Sequence, residues 1–201
     1  MKKNYIDLLE NIYALAQTGI RYTKSPFDME RYQKLLDIAT QEYSEFTGLE
    51  TEVLKERFRN DLGYATPKVG VNGILFDDNG RLLVEHRSDD LLWGLPGGWV
   101  DIGEDPETAM KREFWEEARL IVEPVEIIKF FAVPAGQFQQ PHSSVVVLYL
   151  CKYVSGNIET SIESLEIKFV DPAEITTWHK NHGEYVKEAL LHRKKPCRKC
   201  K

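Results

Sequence analysis

The sequence predicts a mixed α/β sandwich preceded by a small all-helical domain, and three observations carry that reading. Residues 4 to 62 repeat apolar side chains at helical spacing and contain little that resembles a strand. From "YATPKVG" onward strand periodicity takes over, in runs rich in β-branched and aromatic residues. Two further helical stretches, at 105–118 and roughly 181–193, lie between and after those runs. At 201 residues and 42% hydrophobic, the chain can bury one good core and a small second unit. The expected division is a helical domain at 1–64, a main domain at 65–193 and a basic tail at 194–201.

The helices come first. "YIDLLENIYALAQTG" spaces Ile6, Leu9, Ile12 or Tyr13 and Ala16 along one face, with Gly19 as the expected stop. "DMERYQKLLDIATQEYSEFTG" repeats the pattern between an N-cap at Asp28 and a C-cap at Gly48. "ETEVLKERFRNDLG" is a shorter third helix. Tyr5, Ile12, Tyr13, Leu35, Leu36, Tyr43 and Phe46 are more apolar surface than three such helices can hide alone, so a homodimer is expected.

The strands follow. "VGVNGILFDDNGRLLVEHR" reads as a hairpin turning at Asp78, Asn79 and Gly80. "VEIIKFFAVPA", "SSVVVLYLCKYVSG" and "IKFVD" are the later strands. The helix from 105 begins with a capping acid and a proline at its first position, Asp105-Pro106-Glu107.

Charge narrows the function. The net charge is −6, but the last ten residues hold six Lys or Arg and no acid, so the remainder carries −12, from 20 basic against 32 acidic residues. Such a body repels phosphates unless metal ions intervene, which argues against nucleic acid as a partner. No apolar run approaches the roughly 18 residues that a membrane helix requires. "MKKNYIDLLENIYALAQ" has no apolar signal core, so a cytoplasmic protein is expected. Three cysteines make no disulfide framework. Cys197 and Cys200, with His192, have the spacing of half a zinc site, but no second pair completes it.

The densest chemistry lies in "GGWVDIGEDPETAMKREFWEEARL", where a Gly-Gly turn leads into a helix crowded with acids. Glu113, Glu116 and Glu117 stand at i, i+3 and i+4, on one side. Like charges at that spacing repel by a few tenths of a kcal/mol per pair. A solvated acidic face with Arg112 pairing locally is one reading. A hard cation that prefers oxygen ligands is the other.

The wider pattern decides between them. Gly98, five residues, Glu104, seven residues, then Arg112-Glu113-Phe114-Trp115-Glu116-Glu117-Ala118-Arg119-Leu120 resembles the Nudix hydrolase box. One position departs: the family's final glycine is Arg119 here, a mild strain or altered helix end rather than a loss of activity. The resemblance implies a Nudix α/β/α sandwich with a mixed sheet. It also implies cleavage of a nucleoside diphosphate linked to another group, by water attacking one phosphorus. Implied ligands of Mg²⁺ or Mn²⁺ are Glu113 and Glu117, with Glu116 alongside and the Gly97 carbonyl completing the shell. Gly97 and Gly98 would let backbone approach the phosphates, and Arg112 would pair with Glu104.

Relatives that hydrolyse ADP-ribose bring an acid from a late loop toward the attacking water. The corresponding segment offers Glu163 and Glu166, of which Glu163 is favoured. The candidate catalytic residues are therefore Glu116, Glu117, Arg112 and Glu163. For substrate contacts, Trp93 and Trp99 flank the turn, and either ring could stack on a base, with Trp93 leaning toward the core. Arg87 closes a strand beside the expected phosphate site, and His142 sits in a loop that could reach the substrate. The helical N-terminus followed by "GYATPKV" and "LPGGWVDIGE" resembles a bacterial Nudix subgroup of ADP-ribose or CDP-choline pyrophosphatases. ADP-ribose is the first expectation and CDP-choline the second. The rival from another class is a non-catalytic ADP-ribose sensor; such proteins often lose box glutamates, which are complete here.

Overall fold

A computed structural model describes residues 2–60, 65–101, 103–140 and 142–194. In chain order its elements are α1 (Lys2–Tyr22), α2 (Pro26–Thr47), α3 (Thr51–Asn60), β1 (Lys68–Leu75), β2 (Leu82–Arg87), β3 (Trp93–Gly94), α4 (Pro106–Ala118), β4 (Leu120–Val133), β5 (Ser144–Gly156), β6 (Ser164–Val170) and α5 (His182–Arg193). Short 3-10 turns lie at Gln137–Gln139 and Pro172–Glu174. The tail cysteines, Cys197 and Cys200, lie outside the described residues.

The chain divides into two compact units, Met1–Lys68 with Ala132–Ser144, and Val69–Phe131 with Val145–Lys201. In the first, α1 does not stop at Gly19 but runs on to Tyr22. A Cβ at Gly19 would lie 2.4 Å from the Tyr32 ring, so the glycine serves close approach of α2 and not helix termination. The cap of α2 is Ser25, not Asp28: the Asp28 N–H donates to Ser25 Oγ, and Pro26 takes the first helical position. Gly48 ends that helix in a left-handed conformation at φ 72°.

The core of this unit gathers Leu9, Ala16, Leu36, Tyr43, Leu54, Phe58 and Ala135, with Tyr13 and Phe46 packed against it. Leu36 and Tyr43, assigned by sequence to an association surface, are thus internal. The exposed apolar side chains include Tyr5, Leu8, Leu15, Phe27, Leu35 and Ile38.

In the second unit, the strands form two three-stranded sheets in the orders β1-β5-β4 and β3-β2-β6. The turn predicted at 78–80 forms, with the Gly80 N–H bonded to Asp77 O and Gly80 at φ 79°. Its hairpin does not propagate: Phe76, one residue past β1, forms an isolated bridge with Leu82, and β1 and β2 belong to different sheets. β2 pairs antiparallel with β6 and with the two-residue β3.

Alternation along these strands builds two cores. Val71, Leu75, Leu83, Val147, Tyr149 and Ile167 face Ala109, Met110, Phe114 and Ala118 of α4. Ile74, Leu82, Val84, Leu148 and Val170 face Tyr185, Val186 and Ala189 of α5. Strand residues of odd and even register thus serve opposite helices, which is the layering of an α/β/α sandwich.

Candidate active site

The acids stand on α4 because its ends are well specified. Asp105 Oδ1 accepts from the Thr108 N–H at 2.9 Å, and Pro106 follows it into the first turn. Met110 and Phe114 have no exposed surface and pin one face to the sheet. This orients Glu113 and Glu117 inward, where both are buried, while Glu116 stays exposed. Arg119 ends the helix in the left-handed conformation, φ 56° and ψ 27°, with its guanidinium 5.3 Å from the Trp115 ring centroid.

The Gly-Gly turn meets this face directly. The Gly97 N–H donates to Glu117 Oε2 at 2.9 Å. Gly97 adopts φ 149°, and a Cβ there would sit 2.1 Å from the Val71 carbonyl oxygen. A Cβ on Gly98 would sit 2.4 Å from Glu113 Oε1. Gly97 leaves no room for a side chain beside Val71 and Asn72, whereas a Cβ at Gly98 would displace the Glu113 carboxyl.

Arg112 organises what remains. It donates from Nε and Nη2 to the two oxygens of Glu104 at 3.1 and 3.0 Å, and from Nη2 to the Trp99 carbonyl at 2.9 Å. Its Nη1 donates to Glu113 at 2.8 Å and to Glu116 at 2.9 Å. The expected pair with Glu104 is present, and the same guanidinium also bridges two of the helix acids.

A cavity of about 600 Å³ opens beside these groups, lined by Glu113, Glu116, Glu117, Arg119 and residues 160–163, Glu163 among them. The loop is tied down by Ser88, whose N–H donates to Glu163 O at 2.8 Å and whose Oγ donates to Ile162 O at 3.3 Å. Glu166 instead lies on β6 and pairs with Lys168 at 2.9 Å.

The electrostatics are those of crowded acids. Burial first, then neighbouring Glu85 and Glu113, hold the Glu117 carboxyl well above the ordinary range. Burial also raises Glu113, against the pull of Arg112. Glu85, a fully buried acid that sequence reasoning passed over, is raised by burial and opposed by the Ser164 hydroxyl, 2.7 Å away, and by Arg87 at 3.2 Å. Its signal was an acid at an inward register of the apolar run "LLVEHR".

The remaining predicted contacts divide. Arg87 donates to both oxygens of Asp89 at 2.9 Å and to Glu85, so its donors face protein carboxylates. Trp99 is 44% exposed beside Gly98. Trp93 is half-buried, stacked on His86 and beneath Lys168 Nζ, as a packing residue would be. His142 belongs to the helical unit, where it lines a cavity of about 790 Å³ with Tyr13, Tyr43 and Phe58.

Residues 66–189 match the NUDIX domain model. The chain belongs to the Nudix family. It is a Nudix hydrolase in which residues 3–58 match a second family model, the UDP-X-like N-terminal oligomerisation domain. YjhB of Bacillus subtilis, provisionally named an ADP-ribose pyrophosphatase, is 29% identical over 84% of this chain and 81% of its own. An ADP-ribose pyrophosphatase of Methanocaldococcus jannaschii is 27% identical over 63% of this chain and 75% of its own. Among solved structures, a UDP-X diphosphatase superposes with a TM-score of 0.57 at 22% identity, covering 94% of this chain and 93% of that one. That likeness extends the shared fold through the helical unit of this Nudix protein. No helix among the described residues is long and apolar enough to cross a membrane.

The acids suit a hard divalent cation in their donor chemistry. Glu113, Glu116 and Glu117 supply carboxylate oxygens, and the glycine turn approaches two of them, the Gly97 N–H bonding Glu117 and Gly98 lying where a Cβ would meet Glu113. As they stand, Glu113 and Glu116 are bonded to Arg112, and among the described residues no three acidic, histidine or thiol groups gather at one point.

Proposed function

We propose that this protein is a metal-dependent pyrophosphohydrolase that cleaves a nucleoside diphosphate linked to another moiety, with ADP-ribose, giving AMP and ribose 5-phosphate, as the first substrate. The observation that carries the reading is the cavity lined by Glu113, Glu116, Glu117 and Glu163, two of whose acids the glycine turn approaches. A bound Mg²⁺ or Mn²⁺ would neutralise the pyrophosphate and favour attack by water. Glu113, Glu116, Glu117 and the Gly97 carbonyl would hold it, with Glu113 and Glu116 exchanging Arg112 for the cation. Arg112 then remains bonded to Glu104 and the Trp99 carbonyl, which keeps the turn against the helix. Glu163, on the facing loop, accepts the proton of the attacking water. Trp99, exposed beside Gly98, offers a ring on which a base can stack. Arg87 acts through Asp89 and Glu85 by bracing the strand end. The helical unit makes the protein a homodimer.

Charge supports an internal pyrophosphate over a triphosphate, since the chain without its last ten residues carries −12 and two phosphates bring about half the charge of three. The names of the two curated relatives favour ADP-ribose. A uridine diphosphate conjugate is the second reading, favoured by the match of residues 3–58 to a UDP-X-like domain. CDP-choline stands behind both. Comparing catalytic efficiency on ADP-ribose, a UDP-sugar, CDP-choline and a deoxynucleoside triphosphate, with each metal, tests the proposal. A triphosphate turned over tenfold better than every conjugate overturns it.

A further inference from the structure

The backbone leading into the Gly97–Gly98 turn is anchored from several directions. The Val71 N–H donates to Gly98 O at 2.8 Å and the Gly73 N–H to Pro96 O at 2.9 Å. Asn72 Nδ2 lies 3.4 Å from the carbonyls of both Leu95 and Pro96. Ahead of them, the N–H of Leu95, a residue with no exposed surface, donates to Nδ1 of His182 at 2.9 Å. That acceptor comes from the first residue of α5, 87 positions along the chain.

The imidazole is itself held in place. It stacks on Tyr185 at 5.5 Å between centroids and meets His179 edge-on at 5.0 Å. The His182 N–H donates to His179 O at 2.9 Å, and the His179 N–H donates to Trp93 O at 2.8 Å. His179 Nδ1 lies 2.5 Å from Asp90 Oδ2, so the loop before α5 is laced to the β3 region at both of its histidines. An imidazole accepts through Nδ1 only when its proton sits on Nε2. Burial keeps the ring neutral by lowering its pKa, which preserves that acceptor.

We infer that His182 is a positioning residue for the reaction: by accepting the Leu95 N–H it sets the path of the backbone two residues before Gly97, and so the aim of the Gly97 carbonyl. A buried amide deprived of its acceptor turns toward another, and the turn is too tightly packed against Val71 and Glu117 to absorb that rotation without shifting Gly97. The inference rests on the proposed role of Gly97 in holding the cation.

Two polar replacements separate the hydrogen bond from packing. In His182→Asn, Oδ1 falls where Nδ1 lies and can still accept; in His182→Gln the amide reaches past it. Mn²⁺ binding to the full chain, followed by electron paramagnetic resonance, is read beside kcat and KM. His182→Gln is expected to bind Mn²⁺ about 10-fold more weakly and to lose kcat more than KM, as loss of an outer partner of a metal site does. His182→Asn should stay within about 3-fold of wild type in both. The exchange rate of the Leu95 amide, raised in His182→Gln and protected in His182→Asn, gives a readout independent of activity. Equal losses in the two variants, or wild-type Mn²⁺ binding in His182→Gln, overturn the inference. Glu117→Gln in the same titration keeps the two failures apart. If it too binds Mn²⁺ normally, the metal reading is wrong; if it alone loses Mn²⁺, only the role of His182 is.

Discussion

The Gly97 N–H and Glu117 Oε2, 2.9 Å apart, join the glycine turn to the helix acids. The bond gives a buried carboxylate one donor where its neighbours are other acids. Replacing Glu117 by Gln keeps shape and an acceptor oxygen for Gly97 while removing the charge that would hold the proposed cation. Turnover of Glu117→Gln, and of Glu116→Gln, should fall at least about 100-fold with folding intact. Near wild-type rates in both variants would remove the metal-site assignment.

The same carboxyl makes stability depend on pH. Folded Glu117 keeps its proton to higher pH than its ordinary 4.5, whereas the unfolded chain releases it there. The folded state therefore binds more protons above that value, and stability falls as pH rises through the folded pKa. Without divalent cations, the melting temperature of Glu117→Gln should match wild type below the carboxyl's ordinary 4.5 and exceed it increasingly as pH rises above that. Adding Mg²⁺ should narrow the gap by stabilising wild type. Parallel melting curves across that range would show that the buried charge costs nothing.

The two glycines should fail differently. An added Cβ at Gly97 meets the backbone oxygen of Val71 at 2.1 Å, in a conformation that disfavours side chains. Gly97→Ala should therefore lose about 2 to 3 kcal/mol in urea unfolding. At Gly98 the Cβ meets the end of the Glu113 side chain, which can move. Gly98→Ala should lose less than about 1.5 kcal/mol yet drop about 10- to 100-fold in turnover, because Glu113 is displaced. Equal stability losses would contradict this geometry.

What could be read in the sequence was what local chemistry specifies. Asp105-Pro106 marked the start of α4, and the spacing of Glu113, Glu116 and Glu117 followed from the helical repeat. The Nudix box then tied these acids to the Gly-Gly turn. Features set by distant packing were not legible. Gly19 looks like a stop until Tyr32 is seen against it. The turn at Gly80 predicts a hairpin, but whether its arms stay paired depends on β5 and β6 competing for them. His142 sits in a segment, 132–144, that clusters with helices nearly a hundred residues earlier. His182 reaches Leu95, and Ser164 reaches Glu85, across 87 and 79 residues, with no local pattern to announce either.

Arg119 stands in the left-handed region, where the family pattern has glycine, and a side chain there costs roughly 1 kcal/mol. Its cation–π contact with Trp115 is exposed and returns about 0.5 kcal/mol of this. Arg119→Gly should raise stability by about 0.5 kcal/mol, a melting increase of about 1 to 2 °C for a chain of this size. A fall in melting temperature would mean that the cation–π contact outweighs the backbone strain.

Glu163 and Glu166 separate the proposed base from a bystander. Both lie in the segment of late acids, three residues apart. Glu163 lines the cavity with Glu113, Glu116 and Glu117, and its backbone is fixed by Ser88. Glu166 sits on β6 opposite His86 and is paired with Lys168. General-base assistance contributes about 10²- to 10⁴-fold, so Glu163→Gln should reduce kcat by at least about 100-fold with KM little changed. Glu166→Gln, which removes only an exposed ion pair, should stay within about 2-fold. If Glu163→Gln keeps its rate, the proton goes to another group and the assignment fails.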